Sequence, residues 1–278
     1  MAPTTRTQQS NKSGKINNKQ TYLTQLLMRL ECDVLGAVET RQKFDLLPTM
    51  QSLARQLDLR EGSRCQTGHN VHERFGICQQ GGTCLTTNEL MGSYVTEQGT
   101  DEEGLGRWSW MKFTGKTVVT RIVVAYMPCP TRKQAVQATM AQHKRYWWLQ
   151  GDTACPRKLM RRALIDKLKE WRGNGEKLIL LIASNENMAG GPFARIFAHP
   201  DLGMIDTVQH RTHLPGPPTF VRGSRQIDGA WVTPDINIQR ACFLPFFFGV
   251  GDHRAIILDI PIHSILGGDI HKSSRPVS

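Results

Sequence analysis

Apolar positions along this chain switch repeatedly between period-two runs and helical spacing, and the order of the switches outlines a fold. Tyr22, Leu23, Leu26, Leu27 and Leu30 share one face of an amphipathic helix. Val34-Leu35-Gly36-Ala37-Val38 follows as a short apolar strand with Glu39 at its end. Pro48 suits a first helical turn, so a second helix is expected from there to Leu57. Short strands are expected around Gly81-Gly82, then an acidic loop over residues 97–103. Residues 107–113 and 118–126 read as paired strands turned by Thr114-Gly115-Lys116, the second stopped by Pro128. Helical spacing returns over 132–148 and 156–171. Lys177-Leu178-Ile179-Leu180-Leu181-Ile182 is a buried strand that ends in the polar elbow Ala183-Ser184-Asn185-Glu186-Asn187. A strand starting near Asp228, and another over 255–260 behind Gly251-Asp252-His253, complete an α/β pattern.

A chain of 278 residues can bury one large core, and nothing in its middle resembles a long linker. A single domain over residues 1–265 is expected, with 1–8 disordered and 266–278 a flexible polar tail. No apolar run approaches the roughly 18 residues of a membrane span, and the N-terminus lacks the apolar stretch of a signal peptide. The seven cysteines are odd in number and form no CxxC pair, which reads as reduced thiols in an intracellular protein. Cys65, His69, His72 and Cys78 are zinc-ligand types, but their spacing matches no common zinc pattern.

Thirty-five Lys and Arg against 24 Asp and Glu give a net charge of +11, which favours polyanionic partners. Charge alone does not separate a nucleic-acid binder from a merely basic soluble protein. The basic residues of 156–171, among them Arg161 and Arg162, spread over several helical faces and read first as a solvated surface. Trp108 and Trp110 share one strand face, and Trp147 and Trp148 close a helix; core or rim is the default for such aromatics.

Reactive side chains gather at strand ends: Glu39, Tyr126, Asn185, Asp228, Asp252 and His253. Singly, each has an ordinary explanation, since Asp at a strand end caps turns and His there is often only hydrogen-bonded. Their order is the informative feature. Residues 33–40, Ala125-Tyr126-Met127-Pro128, residues 180–185, Ile227-Asp228 and Gly251-Asp252-His253 together resemble the endonuclease/exonuclease/phosphatase superfamily. That superfamily includes pancreatic deoxyribonuclease and abasic-site endonucleases, and the nearest likeness is to the endonuclease domains of non-LTR retrotransposons. The resemblance runs from about residue 9 to residue 260.

The resemblance implies a four-layered α/β sandwich, two packed mixed β-sheets flanked by helices. It further implies a Mg²⁺-dependent endonuclease, with Mn²⁺ as a possible substitute, that nicks DNA to leave a 3′-hydroxyl. By the same likeness Glu39 holds the metal, assisted by Asp252 and by Asn11. His253, oriented by Asp228, stabilises the phosphoryl group, and Asn185 and Tyr126 position phosphate and water. Arg161, Arg162, Arg225 and Arg254 are candidate DNA contacts. A nuclear location and a reverse transcriptase domain in the same polyprotein complete the expectation.

Two positions depart from the family pattern. Ala183 stands where the family carries a carboxylate that orients or deprotonates the attacking water, so impaired catalysis is expected. An otherwise intact site altered at one position and natural decay of the nuclease both fit. Gly251 replaces a Ser, a smaller change that removes one possible hydrogen bond. The alternatives are a catalytically inactive nucleic-acid-binding module of the same fold, and a phosphatase acting on a soluble phosphoester.

Overall fold

Strands β1 (Val34–Val38), β2 (Cys65–Gly68) and β3 (Thr83–Thr87) pair antiparallel in the order β1-β3-β2. The next six are β4 (Val95–Thr100), β5 (Trp108–Thr114), β6 (Val119–Tyr126), β7 (Lys177–Ala183), β8 (Ile205–Asp206) and β9 (Asp228–Val232). They make one mixed sheet ordered β4-β5-β6-β7-β9-β8, in which only β6 and β7 run parallel. β10 (Arg240–Phe243) and β11 (Ile256–Asp259) form an antiparallel pair. This computed structural model describes residues 29–46, 53–57, 59–73, 76–130, 135–248 and 251–268.

Strand alternation decides the layers. Val123, Ala125, Leu178, Leu180 and Ile182 project from one face of the six-stranded sheet into a core with Met160, Leu164, Leu168, Phe193 and Phe197. Those partners lie on the helices Pro156–Gly173 and Pro192–Phe197, which cover that face. Helices Thr139–Leu149 and Pro156–Gly173 also form the crossover that a parallel β6-β7 pair requires. Ile122, Val124, Ile179 and Val232 project the other way and pack with Leu85 and Ala241, and with the partly buried Val34, Val38 and Leu258. Two β-layers therefore face each other with helices outside, as the family resemblance implies. Among the described residues the second layer is two antiparallel pieces rather than one continuous sheet.

The layers approach closely at Gly36. A Cβ there would lie 2.8 Å from Leu181 Cδ1 and 3.3 Å from Val124 Cγ2, so the absent side chain lets β1 settle onto β6 and β7. Gly36→Val is expected to destabilise the fold by about 1–3 kcal/mol through overpacking. Urea denaturation should show a lower midpoint at unchanged slope, and an unchanged midpoint would disprove the close packing.

Several local expectations change. Residues 97–100 belong to the edge strand β4 rather than to an acidic loop. Glu97 and its neighbours are exposed there, so no apolar alternation marks the strand; polar edges of this kind also discourage sheet-to-sheet pairing. Trp108 is core, and Trp110 packs against the same cluster. Leu266, beyond the expected domain limit at 265, is fully buried on the short helix Ile262–Leu266. The expected helix over residues 22–30, apart from Arg29 and Leu30, and the start of the one at Pro48 lie outside the described residues, although a short helix does occupy Leu53–Gln56. All seven cysteines are free, and among the described residues no helix is long and apolar enough to cross a membrane.

Candidate active site

Three adjacent strands end together. In the parallel β6-β7 register Tyr126 faces Ala183, and in the antiparallel β7-β9 register Ala183 faces Asp228. Directly paired residues put their side chains on one face, and two-residue alternation from Val124, Leu181 and Val232 places this row on the face toward the second β-layer. The row sits at the rim of the interlayer core, with Tyr126 4%, Ala183 6% and Asp228 6% exposed.

The second layer adds Glu39 from the end of β1. Glu39 adopts φ 51°, a left-handed backbone that breaks the strand and turns the carboxylate at the rim. Its Oε1 accepts a hydrogen bond from the Tyr126 hydroxyl, and Arg41 approaches Oε2 at 3.4 Å. Burial first, and then the neighbouring Glu39 charge, raise the Tyr126 pKa well above the ordinary phenol, so the hydroxyl stays a donor.

His253 lies just before β11, and its Nδ1 is 2.7 Å from Asp228 Oδ2. With the carboxylate as acceptor, Nδ1 carries the proton and Nε2 is left for a ligand. Thr219 anchors this pair: its Oγ1 accepts from the amides of Ile227 and Asp228 at 2.9 and 3.1 Å. The His253 pKa is raised, mainly by the hydrogen bond to Asp228; burial opposes this, while the charges of Asp228, Asp252 and Glu39 add to it. Those carboxylates and the imidazole thus share one electrostatic field.

Asn185 ends the β7 elbow at φ 51°, a conformation Asn tolerates well, and its Nδ2 donates to the Met127 carbonyl at 2.8 Å. Asn185 is thereby tied to the chain just beyond Tyr126. Beneath it lies a clamp that sequence reading missed. Arg157 donates to the Pro128 carbonyl, to the carbonyls of Ser184 and Asn185 at 3.2 and 3.4 Å, and to Glu186 at 3.3 Å. Glu186 also accepts from Arg161 at 2.7 Å and from the Phe193 amide at 2.8 Å. Nothing local announces a contact between Arg157 and a carbonyl 27 residues away. Arg157→Ala is expected to cost about 1–3 kcal/mol by stranding these acceptors, measured as a lower denaturation midpoint. An unchanged midpoint would show that water replaces the guanidinium without loss.

The other candidates divide. Arg161 pairs with Glu186 and lies 5.1 Å from the Phe193 ring centroid. Arg254 donates to the carbonyls of Pro218 and Leu244, at 2.9 and 3.1 Å. Arg162, Arg225 and Asp252 are exposed. Asn11 lies outside the described residues. Of the zinc-type residues, His69 pairs with Asp45 at 3.3 Å and His72 packs at a tilt against Tyr146 with centroids 4.4 Å apart. Among the described residues no group of three or more His, Cys, Asp and Glu gathers to hold a metal ion. The assembled rim offers one oriented imidazole, one oriented phenol, exposed carboxylate oxygen and, at Ala183, a methyl group between Tyr126 and Asp228.

No family profile and no curated protein matches the sequence. Solved structures do match. The catalytic domain of human Nocturnin with a bound sulfate anion is 14% identical with a TM-score of 0.63, over 91% of this chain and 88% of that one. The 3′ phosphatase NExo from Neisseria, bound to a product DNA hairpin, is 16% identical with a TM-score of 0.59, over 88% and 95%. An endonuclease/exonuclease/phosphatase from Bacteroides vulgatus is 15% identical with a TM-score of 0.56, over 88% and 90%. At such identities the likeness is one of fold alone: this chain shares the layered α/β architecture of these solved structures.

Proposed function

We propose that this chain is the DNA-nicking phosphodiesterase domain of a retroelement, impaired by Ala183 in place of the carboxylate that would prepare water for attack. The observation that carries the reading is a pairing on each side of Ala183: Tyr126 with Glu39, and Asp228 with His253. The net charge of +11 supports a polyanionic substrate.

The donor chemistry suits a hard divalent cation. Glu39 and Asp252 supply carboxylate oxygen only, and with so few protein donors the ion would retain most of its waters, as Mg²⁺ prefers and Mn²⁺ allows. When bound, such an ion neutralises charge on the non-bridging phosphate oxygens. The protein's own part follows from its hydrogen bonds. Asp228 holds the His253 ring by Nδ1, so that Nε2 donates to the phosphoryl group; the raised pKa favours the donor form. Tyr126 keeps the Glu39 carboxylate in one orientation, and the clamped elbow fixes Asn185 beside the phosphate position. Ala183 contributes no group able to take a proton from water.

The test sets the chain and its Ala183→Asp form side by side on supercoiled plasmid and on soluble phosphoesters, with Mg²⁺ and with EDTA. Nicking by the Asp form that needs Mg²⁺ and leaves a 3′-hydroxyl is the expected result. Turnover of the soluble phosphoesters alone would instead make the protein a phosphatase.

A further inference from the structure

Two loops flank His253, and both present aromatic rings beside guanidinium groups. On the first, the Phe220 ring centroid is 5.2 Å from that of His253, and the Arg222 guanidinium lies 5.4 Å from the Phe220 ring. On the second, the single 3₁₀ turn Phe246–Phe248 carries three consecutive phenylalanines. Phe246 packs against Arg254 at 4.0 Å, while Phe247 and Phe248 touch each other at 4.6 Å and stand 78% and 45% exposed. Arg254 braces the loops together through the Pro218 and Leu244 carbonyls, and its amide donates to Thr219 O at 2.8 Å. Arg254 therefore braces Phe246 next to His253, and Phe247 and Phe248 extend from the same turn.

Exposing two touching phenylalanines forgoes burial that a soluble surface normally secures, so their exposure calls for a partner. The charge around them identifies its kind. The loop around Phe220 carries Arg222 and Arg225, both exposed, with no acidic residue between Asp206 and Asp228; residues 244–251 carry no charge, and Arg254 packs on Phe246. Flat apolar faces beside exposed guanidinium groups complement a polyanion that itself carries flat apolar faces, which describes nucleobases on a phosphate backbone.

We infer that the Phe246–Phe248 turn is a base-stacking wedge: Phe247 packs against a nucleobase flanking the phosphate held at His253, and DNA that unstacks easily at that step is the preferred substrate. This inference rests on the proposed nuclease reading and extends it to substrate shape. Because Phe247 is far exposed and outside the catalytic row, its substitution leaves the fold intact.

The chain as it stands, with Ala183, serves as the probe, with EDTA present to suppress its residual cutting. Its binding to a duplex bearing one bulged 2-aminopurine, and to the same duplex fully paired, is measured by anisotropy and by 2-aminopurine fluorescence. The expected result is tighter binding of the bulged duplex with a change in fluorescence. Phe247→Ala and Phe247→Leu should weaken that binding roughly tenfold and abolish the change, whereas Phe247→Trp keeps both. If Ala183→Asp restores nicking but the Phe247 variants bind and fluoresce as the parent does, the wedge is overturned and the nuclease reading stands. Absence of both DNA binding and restored nicking overturns the two together. Phe247-dependent binding to phosphatidylserine vesicles at unchanged duplex affinity also overturns the wedge, since the turn then serves a lipid surface.

Discussion

Ala183→Asp should raise Mg²⁺-dependent nicking by about 10²- to 10⁴-fold, the usual worth of general-base assistance. The size follows from where the residue sits. Position 183 is 6% exposed, in register with Tyr126 on one side and Asp228 on the other, so a carboxylate there is aimed at the rim by the sheet itself. Ala183→Asn provides the shape without the basicity and should recover far less. A second readout guards against misfolding. The new carboxylate would lie with its Cβ about 4.5–5.5 Å from that of Asp228, close enough for like-charge repulsion. The Asp form should therefore melt lower than the parent in EDTA and regain stability in Mg²⁺. Equal, metal-independent nicking by both forms would sink the proposal.

Asp228→Asn, made in the Ala183→Asp background, should lower the restored activity by about 10²- to 10⁴-fold while leaving plasmid binding nearly unchanged. An amide in place of Asp228 Oδ2 offers Nδ1 a poorer acceptor and allows the opposite tautomer. The main cause of the raised His253 pKa is also lost, so an NMR titration should find it moved down. The direction of the pH effect is fixed by that shift. A histidine whose folded pKa exceeds its unfolded value adds stability that is fully present below the unfolded pKa and is lost as pH rises through the folded one. With Asp228 present, both this stability and donor-dependent activity should persist to higher pH than in the Asn variant. Coincident alkaline limbs for the two would remove Asp228 from its orienting role.

Most elements were legible because their signals are local. The strand Val34–Val38 is an apolar run, β5 and β6 are two runs around a glycine turn, and the helix Pro156–Gly173 begins at a proline suited to its first turn. β4 was hidden because an exposed edge strand needs no apolar alternation, and β2 because Cys65–Gly68 is too short and mixed to show a period. At the site the same division holds. Glu39, Tyr126, Asn185, Asp228 and His253 were visible as polar residues ending apolar strands, whereas the Arg157 clamp was not, since its partners are backbone carbonyls that every residue carries.

The sequence by itself determined which segments become strands, which polar side chains end them, and that position 183 holds a methyl group where the family pattern has a carboxylate. Only the tertiary structure decided which strand ends adjoin. Tyr126 reaches Glu39 across 87 residues, and Asp228 reaches His253 across 25, through sheet register and layer packing. The physical reason is that strand formation follows from side chains a few residues apart, whereas register and the facing of two β-layers are settled by interactions distant along the chain, such as Gly36 against Leu181 and Val124.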